Sequence, residues 1–201
     1  MSDWPTEKYS VIYADPGWRY GNFKTGAGMK SGASQIYTTM TLPEIIALPV
    51  TQICEPRACL FLWTTTPMKH DGMRLMEAWG FSYRTTIYWH KGGRNGNPGR
   101  LGMGFWFRGQ VEELLFGIRG NIKPFKLPIR NHLSHPVLKH SEKPEIFRKF
   151  IDSAMDKVGG FDKRMELFAR KHMEGWSAWG NQLDSQLESL KLSAGESPGN
   201  P

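Results

Sequence analysis

Runs of apolar residues alternate with helical patterns along the chain, and this alternation predicts a layered α/β fold. Val11–Ala14 is continuously apolar, which is typical of a strand that is buried on both faces of a parallel sheet. We therefore expect a mostly parallel sheet flanked by helices. The predicted strands are Ser10–Asp15, Cys59–Thr64, Thr85–Lys91, Glu113–Ile118, Arg164–Ala169 and Ser177–Asn181.

Three segments between the strands are predicted to be helical: Thr41–Leu48, Pro67–Trp79 and Pro144–Val158. The second follows Thr66, a residue that can cap a helix, and has a proline in its first turn. The third presents an apolar face and is expected to stop at the glycine pair that begins at Gly159.

The polar motif Asp15-Pro16-Gly17-Trp18 directly follows the first predicted strand. A residue before a proline is held extended, so the strand is expected to stop at Asp15. In an open α/β sheet, ligands bind at the carboxyl ends of the strands. The Asp15 carboxylate and a free Pro16 carbonyl would supply two acceptors there, with an exposed Trp18 available to stack on a flat base.

Two such acceptors suit methylation of an exocyclic amine. The amino nitrogen of adenine is a poor nucleophile because its lone pair is conjugated with the ring. Acceptors that hold its N–H bonds favour a pyramidal nitrogen whose lone pair faces a methyl donor, which is positional and electrostatic catalysis. Asp, Pro and Gly are also ordinary turn residues, and on this motif alone a plain turn is the simpler interpretation.

Composition limits the class of protein. The 201 residues fit one domain, and no apolar run approaches the length that crosses a membrane. No apolar signal segment is seen at the N-terminus, so a cytosolic location is expected, with Cys54 and Cys59 as free thiols. The net charge of +7 favours a polyanionic partner such as nucleic acid, although solubility alone also tolerates this charge.

Two glycine-rich stretches, Gly21–Ile36 and Lys91–Gln110, interrupt the regular pattern. The second combines glycines with Trp106 and Arg108, a composition that suits a mobile clamp on a nucleic-acid strand. A solvated loop without function is the alternative. Ser185–Pro201 is expected to be a flexible tail.

A second polar group lies toward the C-terminus. Asn181 and Gln182 end the last predicted strand, where amides can hydrogen-bond ribose hydroxyls. Arg170, His172 and Lys143 can meet a carboxylate, and Lys143 precedes a helix N-terminus that favours anions. The sequence has no Gly-x-Gly-x-x-Gly segment, which disfavours the usual dinucleotide-binding fold.

Together these motifs resemble the MT-A-70-like family of S-adenosylmethionine-dependent adenine-N6 methyltransferases. The resemblance extends from Tyr9 to Asp184, and Asp15-Pro16-Gly17-Trp18 lies where the family has Asp-Pro-Pro-Trp. The other matching segments are Tyr37-x-x-Met40, Leu60-Phe-Leu-Trp63, Ser141-Glu-Lys-Pro-Glu145, Glu166-Leu-Phe-Ala-Arg170, His172 and Gly180-Asn-Gln182.

The resemblance implies a Rossmann-like methyltransferase domain over residues 9–184, after an N-terminal extension of residues 1–8, with the catalytic motif before the cofactor motif. It implies no metal, and the loop of His132, His135 and His140 lacks a carboxylate or thiolate partner. Arg108 is added from the basic loop as a substrate contact. The implied residues are Asp15, Pro16, Gly17 and Trp18 for the target amine, Tyr37 and Glu112 for the target pocket, and Lys143, Glu166, Arg170, His172, Asn181 and Gln182 for S-adenosylmethionine.

Two features depart from the family. Gly17 replaces its second proline, which loosens the backbone by about 0.5–1 kcal/mol but leaves both acceptors in place. Only eight residues precede Tyr9, so the segment with which larger relatives partly cover the cofactor adenine is expected to be missing. Asp184 is a candidate for part of that role.

The favoured function is methylation of adenine N6 in DNA by an enzyme of phage or bacterial type in the host cytosol. A flipped or single-stranded adenine must enter the pocket, because a stacked base hides its amine. The alternatives are the same chemistry on RNA, and a scaffold that binds cofactor or nucleic acid without catalysis, which Gly17 keeps open. The expected partner is nucleic acid rather than a membrane, and a homo- or hetero-oligomer is left open.

Overall fold

The computed structural model describes residues 4–18, 40–92, 99, 101–102, 106–138, 142–181 and 183. Five sequence predictions concern residues outside this set. They are the site roles of Tyr37 and Gln182, the candidate Asp184, the loop Gly21–Ile36 and the tail Ser185–Pro201.

The described strands form one seven-stranded sheet in the order β5-β3-β4-β2-β1-β6-β7. β4 runs antiparallel to both of its neighbours, β2 and β3, and the other four pairings are parallel. The predicted α/β class with a mostly parallel sheet is therefore confirmed. The bounds are β1 Tyr9–Ala14, β2 Cys54–Thr64, β3 Ser82–His90, β4 Val111–Arg119, β5 His132–Ser134, β6 Arg164–Leu167 and β7 Ser177–Trp179.

All six predicted strands form, and β5 is the strand that the sequence did not predict. It has three residues and begins at His132, which the sequence placed in a loop. Its alignment with β3, from Tyr88↔His132 to His90↔Ser134, makes it a strand. A segment this short, with an exposed residue at each end, carries no periodic signal.

The three predicted helices also form, as α1 Leu42–Ile46, α2 Lys69–Ala78 and α3 Glu145–Val158. The predicted start of α2 is wrong, because Thr66 does not cap it but begins a 3-10 turn, Thr66–Met68. Pro67 has no N–H, and the chain turns tightly before α2, with the Met68 N–H donating to the Thr65 carbonyl. The predicted stop of α3 is confirmed, since Gly159 ends it with a φ of 74°.

The central strand β1 is buried on both faces, as its composition predicted. Ile12 and Ala14 belong to the core beneath α1 and α2, whereas Val11 and Tyr13 belong to the core beneath α3. Cys54 and Cys59 are buried free thiols, as expected. Among the described residues, no helix is both long and apolar enough to cross a membrane.

This topology gathers polar residues at one edge of the sheet. β1, β3, β6 and β7 point the same way, so the residues that follow them share an edge. β4 is antiparallel to them, so it begins at this edge. Asp15, Lys91, Glu112, Arg170 and Asn181 are therefore brought to one side of the molecule, although they are far apart in sequence.

Candidate active site

The turn after β1 is fixed by hydrogen bonds. The Trp18 N–H donates to the Pro16 carbonyl at 2.9 Å, and the Met40 N–H donates to the Gly17 carbonyl at 3.0 Å. The Pro16 carbonyl is thus not wholly free, as the sequence suggested, but a carbonyl oxygen has two lone pairs and one remains for a ligand. The Asp15-Pro16-Gly17-Trp18 motif therefore forms a turn, the simpler of the two interpretations, and the same turn carries the Asp15 carboxylate and the Pro16 carbonyl.

The prediction that Trp18 is exposed is wrong. Its side chain is only 8% exposed and lies in the core on the α1 and α2 side of the sheet. The indole Nε1–H donates to the Trp63 carbonyl at 3.1 Å, so burial of the ring leaves no polar atom without a partner. Trp18 therefore anchors the turn to β2, and its predicted role in packing on a base stays a prediction.

Asp15 is paired with Lys143, the residue two positions before α3. The Lys143 Nζ lies 2.9 Å from Asp15 Oδ1 and 3.3 Å from Glu112 Oε2. Burial acts to lower the pKa of Lys143, but the two carboxylates outweigh it and raise that pKa. Lys143 therefore stays an ammonium ion and holds the carboxylates of β1 and β4 together.

Lys91 extends this ion-pair network, and the sequence analysis did not single it out. Its Nζ lies 2.5 Å from Glu112 Oε1, on the carboxylate that Lys143 also contacts. Burial acts to raise the pKa of Glu112, but Lys143 and Lys91 outweigh it and lower that pKa. The network therefore alternates two carboxylates with two ammonium groups, and its four charges sum to zero, in the order Asp15, Lys143, Glu112 and Lys91. The available signal was position, since Lys91 directly follows a strand at the ligand-binding edge.

Both lysines lie over tryptophan rings. The Lys143 Nζ is 5.3 Å from the Trp63 ring centroid, and the Lys91 Nζ is 5.3 Å from that of Trp89. The two indoles meet edge to face at 6.2 Å, and both contact Phe147 of α3. We call Trp63, Trp89 and Phe147 the aromatic platform. It supports both ammonium groups from the α3 side of the sheet.

Glu166 is paired with an arginine of α3. Its Oε2 lies 2.5 Å from Nη2 of Arg148 on α3, and the Arg148 guanidinium also lies 5.7 Å from the Tyr13 ring centroid. Burial raises the pKa of Glu166 even though Arg148 acts to lower it. The structure therefore shows Glu166 joining β6 to α3, and its cofactor role stays a prediction.

The other predicted cofactor residues follow β6 and β7. Arg170 is partly buried, whereas His172 and Asn181 are exposed. The strand ends are close, since a Cβ at Gly180 would lie 2.3 Å from the Ala169 carbonyl oxygen. The backbone therefore brings Arg170 and Asn181, the residues that follow this contact, near each other.

The segment after β6 also approaches the one that carries Lys143. Lys171 Nζ lies 3.4 Å from Glu142 Oε1, and Glu142 directly precedes Lys143. The fold thereby brings the predicted cofactor residues alongside the Asp15–Lys143 pair.

Arg108 is exposed on the segment before β4. The Lys91 N–H donates to the Gln110 carbonyl at 2.7 Å, so this segment is tied to the end of β3 beside Glu112. Among the described residues, no three His, Cys, Asp or Glu side chains are grouped closely enough to hold a metal ion. A separate apolar cavity of about 330 Å³ lies beneath α3. Thr85, near the start of β3 and away from the candidate active site, is among its lining residues, and none of Asp15, Lys91, Glu112 and Lys143 lines it.

Comparison with known proteins gives a match to the MT-A70 family over residues 9–182. The chain is 35% identical over 202 residues to the Type II methyltransferase M.MunI of a Mycoplasma species, covering 92% of this chain and 82% of that protein. It is 25% identical over 188 residues to the N(6)-adenine-specific methyltransferase METTL4 of Homo sapiens, covering 87% and 37%. The mouse METTL4 is also 25% identical, over 191 residues. The resemblance inferred from the motifs is confirmed.

Proposed function

The chain belongs to the MT-A70 family, and on that premise we propose that it transfers the methyl group of S-adenosylmethionine to the N6 amine of adenine in DNA. The observation that carries the proposal is the Asp15 carboxylate, held by Lys143 beside the Pro16 carbonyl at the end of β1. These two acceptors would hold an amino group at the ligand-binding edge of the sheet.

The geometry supports a specific division of the Asp15 oxygens. Lys143 contacts Oδ1, which leaves Oδ2 to accept one N–H of the target amine. The remaining lone pair of the Pro16 carbonyl accepts the other N–H. Held in this way, the nitrogen can turn its lone pair toward the methyl donor, and the positive charge that develops on it is stabilised by Asp15.

The residues after β6 and β7 fit S-adenosylmethionine. An amide at Asn181 suits ribose hydroxyls, and the Arg170 guanidinium and a ring nitrogen of His172 suit a carboxylate. The bound donor supplies an activated methyl on a sulfonium. The donor would leave as a neutral thioether, and Asp15 Oδ2 would accept the one proton that the amine loses when it takes up the methyl group.

DNA is favoured over RNA because the Type II methyltransferase M.MunI is a similar protein over most of both chains. The net charge of +7 and the exposed aromatic and basic residues before β4 suit a nucleic acid of either kind. A direct competition between DNA and RNA oligonucleotides for tritiated methyl separates the two substrates.

The proposal is tested by Asp15→Asn in a tritiated-methyl assay on DNA, with calorimetry of S-adenosylmethionine binding in parallel. We expect transfer to fall on the order of 100- to 1,000-fold while cofactor binding persists, because the amide is a weaker, uncharged acceptor. Asp71→Asn, which alters a partly exposed ion pair with Arg74 on α2, is the matched control. Unchanged transfer in Asp15→Asn would refute the assignment.

A scaffold without catalysis is the second candidate, and Gly17 is the observation that favours it. Gly17 is not among the described glycines with a positive φ, so a left-handed backbone does not exclude proline there. A wild-type chain that binds S-adenosylmethionine but transfers nothing until Gly17→Pro is introduced would support the scaffold.

A further inference from the structure

Two adjacent aromatic side chains are almost fully exposed. Trp106 is 94% exposed and Phe107 is 91% exposed, whereas the next most exposed large apolar residues described are Leu101 at 65% and Val137 at 58%. Neighbouring aromatic rings left in water are a sign of an interaction surface. We call Trp106 and Phe107 the aromatic pair.

The segment that carries the aromatic pair is held at its base. The Gly102 N–H donates to the Gly109 carbonyl at 3.0 Å. A Cβ at Gly102 would lie 2.5 Å from that carbonyl oxygen, so this close approach requires glycine. The next bond, from the Lys91 N–H to the Gln110 carbonyl, ties the base to β3.

The base of this segment belongs to the candidate active site. Gln110 lies two residues before Glu112, and Lys143 bridges the Glu112 and Asp15 carboxylates. The aromatic pair is thus carried on the same edge of the sheet, a few residues from the ion-pair network.

We propose that Trp106 and Phe107 form a wedge that enters the base stack of duplex DNA when the target adenine leaves it. The inference rests on the proposed function. Removing one base from a duplex leaves unstacked neighbours, and an aromatic ring replaces the lost stacking on either of them. Arg108, next in sequence, is placed to contact the phosphates that flank the gap.

A second copy of this chain is the competing occupant, because aromatic residues are also enriched at protein interfaces. Charge favours the nucleic acid. The chain carries a net charge of +7, which opposes self-association and attracts a polyanion. Position also favours the nucleic acid. The segment is connected to the sheet edge that carries Asp15, which a substrate must reach and a second copy of the chain need not.

The wedge is tested with a panel of duplexes that carry 2-aminopurine in place of one adenine and vary in their flanking bases. The fluorescence of 2-aminopurine rises when it leaves the stack, and the assay needs no methyl transfer. We expect wild type to raise the fluorescence of at least one duplex. Trp106→Ala and Phe107→Ala should lower the population of unstacked base roughly 5- to 100-fold, and Trp106→Phe should retain most of it. Val137→Ala removes an exposed apolar side chain elsewhere and should behave as wild type.

A second arm compares methyl transfer to a paired adenine with transfer to an adenine opposite an abasic site. The loss in Trp106→Ala should be large on the paired target and small on the unpaired one, because an unpaired base leaves its stack at less cost. Equal loss on both targets would overturn the wedge, as would a wild type that unstacks none of the duplexes. A dimer in analytical ultracentrifugation that Trp106→Ala converts to monomer would also overturn it, in favour of a second copy. Unstacking by wild type without methyl transfer would support the wedge and refute the proposed function, so the two failures are distinguishable.

Discussion

Two groups of predicted site residues differ in how far they are already held by contacts within the protein: the residues around Asp15, which we call the acceptor end, and the residues predicted to bind the cofactor, which we call the cofactor end. The acceptor end is a chain of ion pairs that runs from Asp15 through Lys143 and Glu112 to Lys91. The aromatic platform supports both lysines from one side. The end is therefore held in place by contacts within the protein.

The residues predicted for the cofactor end are arranged in another way. Glu166 is bound to Arg148, whereas His172 and Asn181 are exposed where strands end. Polar groups that hold charge in a transition state work best when they are fixed beforehand. Groups that grip a soluble ligand must first let it enter. If the predicted roles hold, the fold fixes the groups around the target amine through ion pairs and leaves His172 and Asn181 of the predicted cofactor site open to solvent.

Lys143 provides the strongest test of this comparison, because the sequence assigned it to the cofactor and the structure shows it on Asp15. We expect Lys143→Met to lower kcat for methyl transfer on the order of 100- to 1,000-fold. The dissociation constant for S-adenosylmethionine should stay near the wild-type value. Lys149→Met, which removes an exposed lysine of α3, is the control. Weakened cofactor binding with kcat intact would place Lys143 at the cofactor end instead.

Arg148→Met tests whether Glu166 is structural. A buried carboxylate that loses its cation should destabilise the fold by about 2–4 kcal/mol near neutral pH. The folded pKa of Glu166 is already raised by burial, and the variant raises it further. At a pH between the unfolded and the folded pKa of Glu166, this carboxyl holds a proton in the folded state that it has lost in the unfolded state. Stability is thus retained at acidic pH and is lost as pH rises.

Urea unfolding of Arg148→Met and wild type across pH 5 to 8 measures this effect. The gap in unfolding free energy should widen as pH rises. Lys149→Met again serves as control. A gap that does not change with pH would show that Glu166 does not depend on Arg148.

Lys91→Met tests the acceptor end alone, and its expected effect is smaller than those of Lys143→Met and Arg148→Met. Without Lys91, Glu112 has only Lys143 as its cation and should draw it from Asp15. We expect kcat to fall roughly 10-fold, the size typical of a residue that orients a catalytic group. Lys91→Arg should recover part of the loss.

The matched control for Lys91 is Lys69, whose partner Glu113 is next to Glu112 on β4. Lys69 Nζ is 2.7 Å from Glu113 Oε2, an ion pair one residue along β4 and therefore on its opposite face. Lys69→Met should leave kcat near wild type. A rise in the KM for DNA with kcat unchanged would mean that Lys91 contacts phosphate rather than positioning Glu112.

The sequence alone determined the α/β class, the burial of β1 on both faces, and the placement of Asp15, Arg170 and Asn181 where strands end. Residue periodicity and turn chemistry are local, so these features can be inferred from short stretches. The order of motifs was sufficient to identify the family, although the roles of individual site residues stay predictions.

Only the tertiary structure decided which partners these side chains meet. Trp18 is buried because its indole N–H reaches the Trp63 carbonyl on β2. Lys143 contacts Asp15, and Lys91 joins the network, because antiparallel β4 begins at the edge where β1 and β3 end. Strand order and direction follow from contacts between residues far apart in sequence. A local pattern therefore does not encode which charges the fold brings together.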